Sequence, residues 1–288
     1  FFYFKFKWQV FQVFFLSSHI RGSRLLDRRD MQRAKRPGDF LDQADRKGDP
    51  PGQADRPKRP GDPLDQAGRP GKRQSIEQTE YGVTFVEHER EDGLMDVTIL
   101  RANDNRIPTE FRALNTRTWG TIVIDEESQI DTLMRSCFLK FGDLKSIVIP
   151  DSVRQMETLI FNECVDLETV RLPAFINEIS NHCFRDCVSL QEINIPQNCR
   201  RIGRGAFNRC RELKGVTLPE GLTTIDDQAF DRCKNLGTIL LPRSLKNVGM
   251  SAFAHCYSLT EITIPENCDT VEAWAFYKCE NLKKRQVF

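Results

Sequence analysis

The chain has 288 residues, enough for one large or two ordinary domains. Its 42 Lys and Arg nearly cancel 41 Asp and Glu, for a net charge of +1. That balance excludes a global field steering the protein to nucleic acid or acidic lipid. Four histidines (His19, His88, His182, His255) narrow the acid–base and metal options, whereas ten cysteines raise a question that only their placement answers.

Residues 1–35 form a hydrophobic and then basic segment. The opening stretch FFYFKFKWQVFQVFFLSS is interrupted by Lys5, Lys7, Gln9 and Gln12. It falls short of the ~20 apolar residues a spanning helix needs, so no membrane span is expected. Three readings stay open. Residues 8–16 fit a short signal-peptide core ending near Ser17–Ser18. Non-native translated sequence with Met31 as the true start is a second reading. An amphipathic strand is the third, because Phe4, Phe6 and Trp8 alternate with polar residues.

Residues 36–77 read as a disordered Pro/Gly/Asp/Arg linker. The unit RPGD-x-LDQA at 36–44 recurs at 59–67, and apolar residues are almost absent. Such a chain buries too little surface to offset its ordering entropy. Asp nearly balances Lys and Arg here, which argues against a nucleic-acid-binding arm.

Residues 78–121 read as a small capping region, with order beginning near Tyr81. Tyr81, Val83 and Phe85 alternate, as do Met95, Val97 and Ile99. Asp92-Gly93 lies between them as a turn signal, so a β-hairpin is expected. Residues 102–120 show no dominant period. Ile122 and Ile124 resemble the first strand of a repeating array.

From residue 122 to 288 one rule governs the chain. Pro150, Pro173, Pro196, Pro219, Pro242 and Pro265 recur every 23 residues. A phenylalanine column runs from Phe138 through Phe161, Phe184, Phe207, Phe230 and Phe253 to Phe276. A cysteine column holds Cys164, Cys187, Cys210, Cys233, Cys256 and Cys279, and a leucine column starts at Leu144. A fixed period of this length marks a solenoid of about six to seven repeats. Within one unit, Ile202, Ala206, Phe207, Cys210 and Leu213 are spaced as one face of a short helix or helical turn. Val216 and Leu218 then switch to the strand period, and Pro219 closes the strand because it has no N–H for a ladder. Strands that recur in this way run parallel. One unit alone cannot offset its ordering entropy, so the units must stack.

The pattern L-x-x-I-x-I-P…I-G-x-x-A-F-x-x-C resembles the BspA-type leucine-rich repeat family over about residues 122–288. Residues 200–219, 223–242 and 246–265 match best. Ile160 and Cys183 replace the small Ala, and Arg285 replaces the aliphatic strand residue. The chain stops at Phe288 where the next proline belongs, which reads as a degenerate terminal strand or an array that continues. The resemblance implies an α/β leucine-rich-repeat solenoid with short parallel strands on one face and short helices or helical turns on the other. It also implies non-catalytic protein–protein interaction, often at a cell surface or in a secreted protein. Buried reduced cysteines are compatible with the cytosol as the alternative compartment, whereas the resemblance leans outward. The alternative is the recognition domain of a larger enzyme or receptor.

Few features suggest chemistry. The column cysteines stand where the first repeat has Phe141, so they read as small buried hydrophobes rather than a disulfide ladder. Cys137 and Cys183 take the small-residue position, and Cys199 and Cys268 take that of Val153 and Leu222. The stretch HCFRDC offers His182, Cys183 and Cys187, one ligand short of a zinc site whose cysteines the columns already explain. Gly203-Arg-Gly205 lacks the third glycine of a dinucleotide fingerprint. No catalytic residue and no cofactor is expected. What remains is surface. Arg171, Asn194, Thr217, Leu240 and Thr263 lie in one outward stripe of the strands, and Glu192, Thr238 and Glu261 in another. Their mixed chemistry suits a protein or peptide ligand on the concave face better than a phosphate backbone. His182, Tyr257 and Trp274 are rival contacts on the convex side.

Overall fold

The structure is a computed structural model that describes residues 76–287. The readings for residues 1–35, and for the linker up to residue 75, lie outside the described residues. Order begins slightly earlier than Tyr81. A strand β1 (Glu77–Glu80) precedes β2 (Val83–Glu89), which turns back into β3 (Met95–Ala102). The expected β2–β3 hairpin forms, with Gly93 at φ +80° in its turn. The β1–β2 turn uses Tyr81 and Gly82, both left-handed, as a tight antiparallel hairpin requires. The sequence EQTE carries no apolar alternation because β1 is an edge strand. It is fastened instead by polar pairs, Gln78 to Glu87 at 2.9 Å and Thr79 to Thr84 at 3.0 Å.

Residues 102–120 include a short 3₁₀ turn (Asn103–Asn105), a two-residue strand (Arg106–Ile107) and a 3₁₀ helix, Thr109–Thr116, that buries Phe111 and Leu114. Strand β4 (Trp119–Ile124) comes next and pairs parallel with β3. Trp119 is buried against Phe85 at 5.2 Å, Phe111 at 5.7 Å and Phe141 at 5.8 Å between ring centroids. Its indole N–H donates to Glu87 at 2.6 Å, and Arg117 donates to the same carboxylate at 2.9 Å while also pairing with Glu80. Burial alone would raise the Glu87 carboxyl. Hydrogen bonds from Trp119, Arg117 and Gln78 outweigh it and hold the group below its ordinary value. This aromatic plug closes the end of the core.

Two rows of strands then alternate along the chain. The longer row comprises β5 (Ser146–Val148), β6 (Thr169–Arg171), β7 (Glu192–Asn194), β8 (Gly215–Thr217), β9 (Glu261–Ile264) and β10 (Lys284–Val287). Every pairing in it is parallel. β4, β5 and β6 continue the cap sheet, while β7–β8 and β9–β10 form separate ladders offset by one repeat. The shorter row consists of two-residue strands such as Arg201–Ile202, also parallel. The prolines act as expected. The carbonyls of Pro150, Pro196, Pro219, Pro242 and Pro265 each accept from the residue three positions on, opening a turn.

Of the two forms expected for the helically spaced stretch, short helix or helical turn, the chain adopts linked helical turns. Bonds run from Ala206 to Gly203, Asn208 to Gly205 and Cys210 to Phe207, each near 3.1 Å. Two left-handed residues interrupt every coil, four positions apart. One column is Ser136, Leu159, His182, Gly205, Gln228, Ser251 and Trp274, and the other runs from Lys140 to Lys278, with φ between +55° and +65°. Right-handed helix cannot pass through them. Only Gly205 satisfies this geometry at no steric cost.

The apolar columns line one continuous core. Ile202, Ala206, Phe207, Cys210, Leu213 and Val216 are all buried, and Leu218 is partly buried against them. The phenylalanine rings from Phe138 to Phe276 stack at 5.1–5.5 Å, tilted by 15° or less. Backbone bonds fasten each ring-bearing residue to the next coil, as in Phe184 N–H to Ala206 C=O at 2.8 Å and Phe207 to Ala229 at 2.7 Å. The thiols complete the joint. Cys210 Sγ donates to Phe184 C=O at 3.0 Å, and the same bond recurs for every column cysteine, at up to 3.2 Å for Cys256.

The ring column and the left-handed column can each be tested by substitution. Phe207→Ala should cost about 3–5 kcal/mol, measured by urea unfolding, because two neighbouring rings lose their stacking partner. A loss under about 1 kcal/mol would contradict a packed ring column. Lys140 is exposed at φ +62°, so Lys140→Gly should raise the thermal midpoint, by up to about 1 kcal/mol of stability, and Lys140→Val should lower it.

Candidate functional site

Along the strands of the longer row between residues 146 and 264, inward and outward side chains alternate. Ile147, Ile193, Val216, Ile239 and Ile262 are buried. Arg171, Glu192, Asn194, Thr217, Thr238, Leu240, Glu261 and Thr263 are all exposed on the opposite side of the strands. The structure gathers Glu192, Asn194, Thr217, Thr238 and Leu240 around one depression of about 430 Å³. Arg171, Glu261 and Thr263 belong to the same strand row but do not line it. Arg171 is engaged elsewhere. It sits 3.8 Å from Asp151 and 3.9 Å from Glu126, and donates to the Ile149 carbonyl.

The depression has two local causes. Gly215 stands where Ser146, Thr169, Glu192, Thr238 and Glu261 carry side chains. In addition, the β7–β8 ladder does not continue into residues 238–240, which make a single bridge, Thr238 to Glu261. Leu240 is left 85% exposed, with Leu218, Leu241 and Pro242 nearby in the lining. Glu220 also lines the depression and was not among the expected contacts. Its signal in the sequence was weak, because it follows a proline in a turn rather than lying on a strand.

The rival contacts fall on the turn-rich side. His182 is half-buried, and its Nδ1 has no hydrogen-bond partner. Burial, then the charges of Arg185 and Arg204, push its pKa below the ordinary value. Tyr257 is half-buried and Trp274 is 66% exposed.

All ten cysteines are free; Cys268 is half-buried and the rest are buried. Burial pushes the Cys164 thiol up to about 12 and Cys199 up to about 11. Cys183, Cys187 and Cys210 move the same way for the same reason. A thiol held protonated is neither a nucleophile nor a ready metal ligand. Cys187 also donates its proton to the Phe161 carbonyl. Gly203 has its own structural reason, since a Cβ there would lie 2.9 Å from the Ile179 carbonyl oxygen. Among the described residues, no group of three or more His, Cys, Asp and Glu side chains is placed to hold a metal. No helix among them is long and apolar enough to cross a membrane.

The sequence profile of the BspA type leucine rich repeat region matches six copies, at residues 115–236 and 177–287, more than half of the chain. The chain belongs to the BspA-type leucine-rich repeat family. No curated protein sequence matched it. Among solved structures, it is similar to a leucine-rich repeat protein from Bacteroides ovatus at 24% identity and TM-score 0.57, covering 73% of this chain and 52% of that one. It is also similar to the leucine-rich repeat protein TpLRR of T. pallidum at 25% identity and TM-score 0.52, covering 69% and 88% of the two chains. The chain thus spans about half the length of the B. ovatus protein.

The raised thiols give these repeats a testable pH dependence. A thiol bound more tightly to its proton in the fold adds stability that is full below its ordinary value of 9.0. That stability is lost as pH rises toward about 12, the value for Cys164. The urea midpoint should therefore be flat from pH 7 to 8.5 and fall steadily above 9. A thiol-specific chromophoric reagent at pH 8 should label at most Cys268 until urea unfolds the chain. Rapid labelling of several native thiols would refute both statements.

Proposed function

We propose that this chain is a non-catalytic binding module whose long-strand face holds a protein or peptide ligand. The observation that carries the reading is the depression around Gly215, where an exposed Leu240 sits beside Glu192, Asn194, Thr217 and Thr238. A leucine so exposed gains nothing from the fold, but it suits an apolar side chain of a partner. The surrounding amide, hydroxyl and carboxylate groups suit main-chain N–H and C=O groups of an extended segment. The ladder interruption at 238–240 places this chemistry in a groove rather than on a flat sheet. The scaffold is preorganised by its core columns, so little ordering entropy is lost on binding. Membership of a repeat family of bacterial surface-type proteins is consistent with such a role.

A second reading makes the array the recognition part of a longer enzyme or receptor. The 52% coverage of the B. ovatus protein motivates it, and a transcript encoding a further domain in frame would establish it.

The binding reading is tested by selecting a phage-displayed peptide library against the immobilised full chain. Selected peptides should bind wild type and lose at least 10-fold in affinity to Leu240→Glu and to Glu192→Lys, about 1.4 kcal/mol or more. Arg171→Glu, outside the depression, should cost less. Peptides indifferent to both of the first two variants would overturn the assignment.

A further inference from the structure

The turn-rich face carries a second depression, lined by none of the residues that line the one assigned above. It holds about 450 Å³, within the ~300–1,000 Å³ that ligand clefts occupy. Gln228, Asp231, Arg232, His255, Trp274 and Tyr277 line it, and Ala254 is its aliphatic element.

Trp274 has no structural reason to be there. It is 66% exposed, so it adds little to the core, and Tyr277 beside it is 50% exposed. Its backbone is left-handed, at φ +60°, in the column where other coils place Ser136, Leu159, His182, Gly205, Gln228 and Ser251. A bulky side chain there costs backbone strain as well as hydration. An exposed indole on a strained residue points outward to a ligand.

The polar side of the depression is well ordered. His255 Nδ1 lies 2.9 Å from Asp231 Oδ1, and Asn208 donates to the other carboxylate oxygen at 3.1 Å. The His255 ring meets Tyr277 edge-on at 5.5 Å. Arg232 Nε lies 3.5 Å from Asp231, and Lys278 Nζ sits 5.6 Å from the Tyr277 ring centre.

Charge and shape together select the ligand class. A cation would meet Arg232, and an anion would meet Asp231. The accessible apolar lining is aromatic rather than aliphatic, since Trp274 and Tyr277 are exposed whereas Ala254 is buried. A neutral ring with an apolar face and hydroxyls around its edge meets none of these objections. We propose that the coils between Gln228 and Tyr277 form a saccharide-binding site. A pyranose lies on the Trp274 indole, with its C–H face against the aromatic ring. Its hydroxyls donate to Asp231, accept from Arg232 and do both with Gln228.

The test titrates the full chain with hexasaccharides of β-1,4-glucose, α-1,4-glucose, β-1,4-mannose and β-1,4-N-acetylglucosamine, and with adenosine as the flat non-sugar control. Calorimetry should give saturable binding of at least one saccharide, with Kd under about 1 mM, and tryptophan emission should shift to shorter wavelength. Trp274→Ala should weaken that binding at least 10-fold and Asp231→Asn at least fivefold. Leu240→Glu, on the strand face, should leave it unchanged. Trp274→Gly relieves the left-handed strain, so it should raise the thermal midpoint while abolishing binding, which separates lost contact from lost fold. No saturable binding to any of the four saccharides would overturn the proposal. So would adenosine binding as tightly as the best sugar, or saccharide binding that survives Trp274→Ala.

Discussion

Phe161, Phe184, Phe207, Phe230 and Phe253 are each gripped at both backbone N–H and C=O by the next coil. Phe184 donates its N–H to the Ala206 carbonyl and receives the Cys210 thiol on its own carbonyl. The two partners lie four residues apart in the next coil, flanking the ring that stacks on Phe184. This joint explains the fixed letters A-F-x-x-C better than hydrophobicity does. The first position must be small enough for two backbones to meet, and the last must be small, apolar and able to donate. Cysteine meets all three demands, since its S–H is a weak donor with little desolvation cost. Before the array the rule lapses. Phe141 stands in the cysteine column there and packs against Phe111 and Trp119 of the plug instead.

Because the columns fix the inward-facing letters, information about binding is confined to departures from the repeat. Gly215 empties a position that other coils fill. Leu240 puts an aliphatic side chain in a mostly polar stripe. Trp274 puts an indole where small or polar residues are usual. None of the three improves the core, and each lies at the edge of a depression. A regular array is a neutral background against which such exceptions can be read, which is not true of an irregular globular core.

Much of the fold was legible for the same reason. Residues that recur every 23 positions announce stacked coils, parallel strands and a shared core, and the hairpin at β2–β3 announced itself through alternation and Asp92-Gly93. The helical spacing left short helix and helical turn undivided. Apolar residues at intervals of four, one, three and three fit a turn of helix and a series of linked turns equally well. Only backbone dihedrals separate them, and the left-handed columns contain Ser, Leu, His, Gln and Trp as well as Gly, so composition concealed them. Strand β1 was invisible because its pairing rests on backbone and polar side chains. The outward stripes were legible from strand alternation. The depression within them was not, since it arises where a ladder stops, and pairing between coils is a tertiary fact.

The two depressions are not wholly separate. The coil that contributes Gln228, Asp231 and Arg232 to the turn-rich face goes on to contribute Thr238 and Leu240 to the strand face. In a repeat protein each coil is stabilised by its immediate neighbours, so a ligand that spans coils strengthens only those it touches. This coil is lightly fastened on the strand side, where Thr238 makes a single bridge, and firmly fastened on the turn side, where Phe230 N–H reaches the Ala252 carbonyl at 2.7 Å.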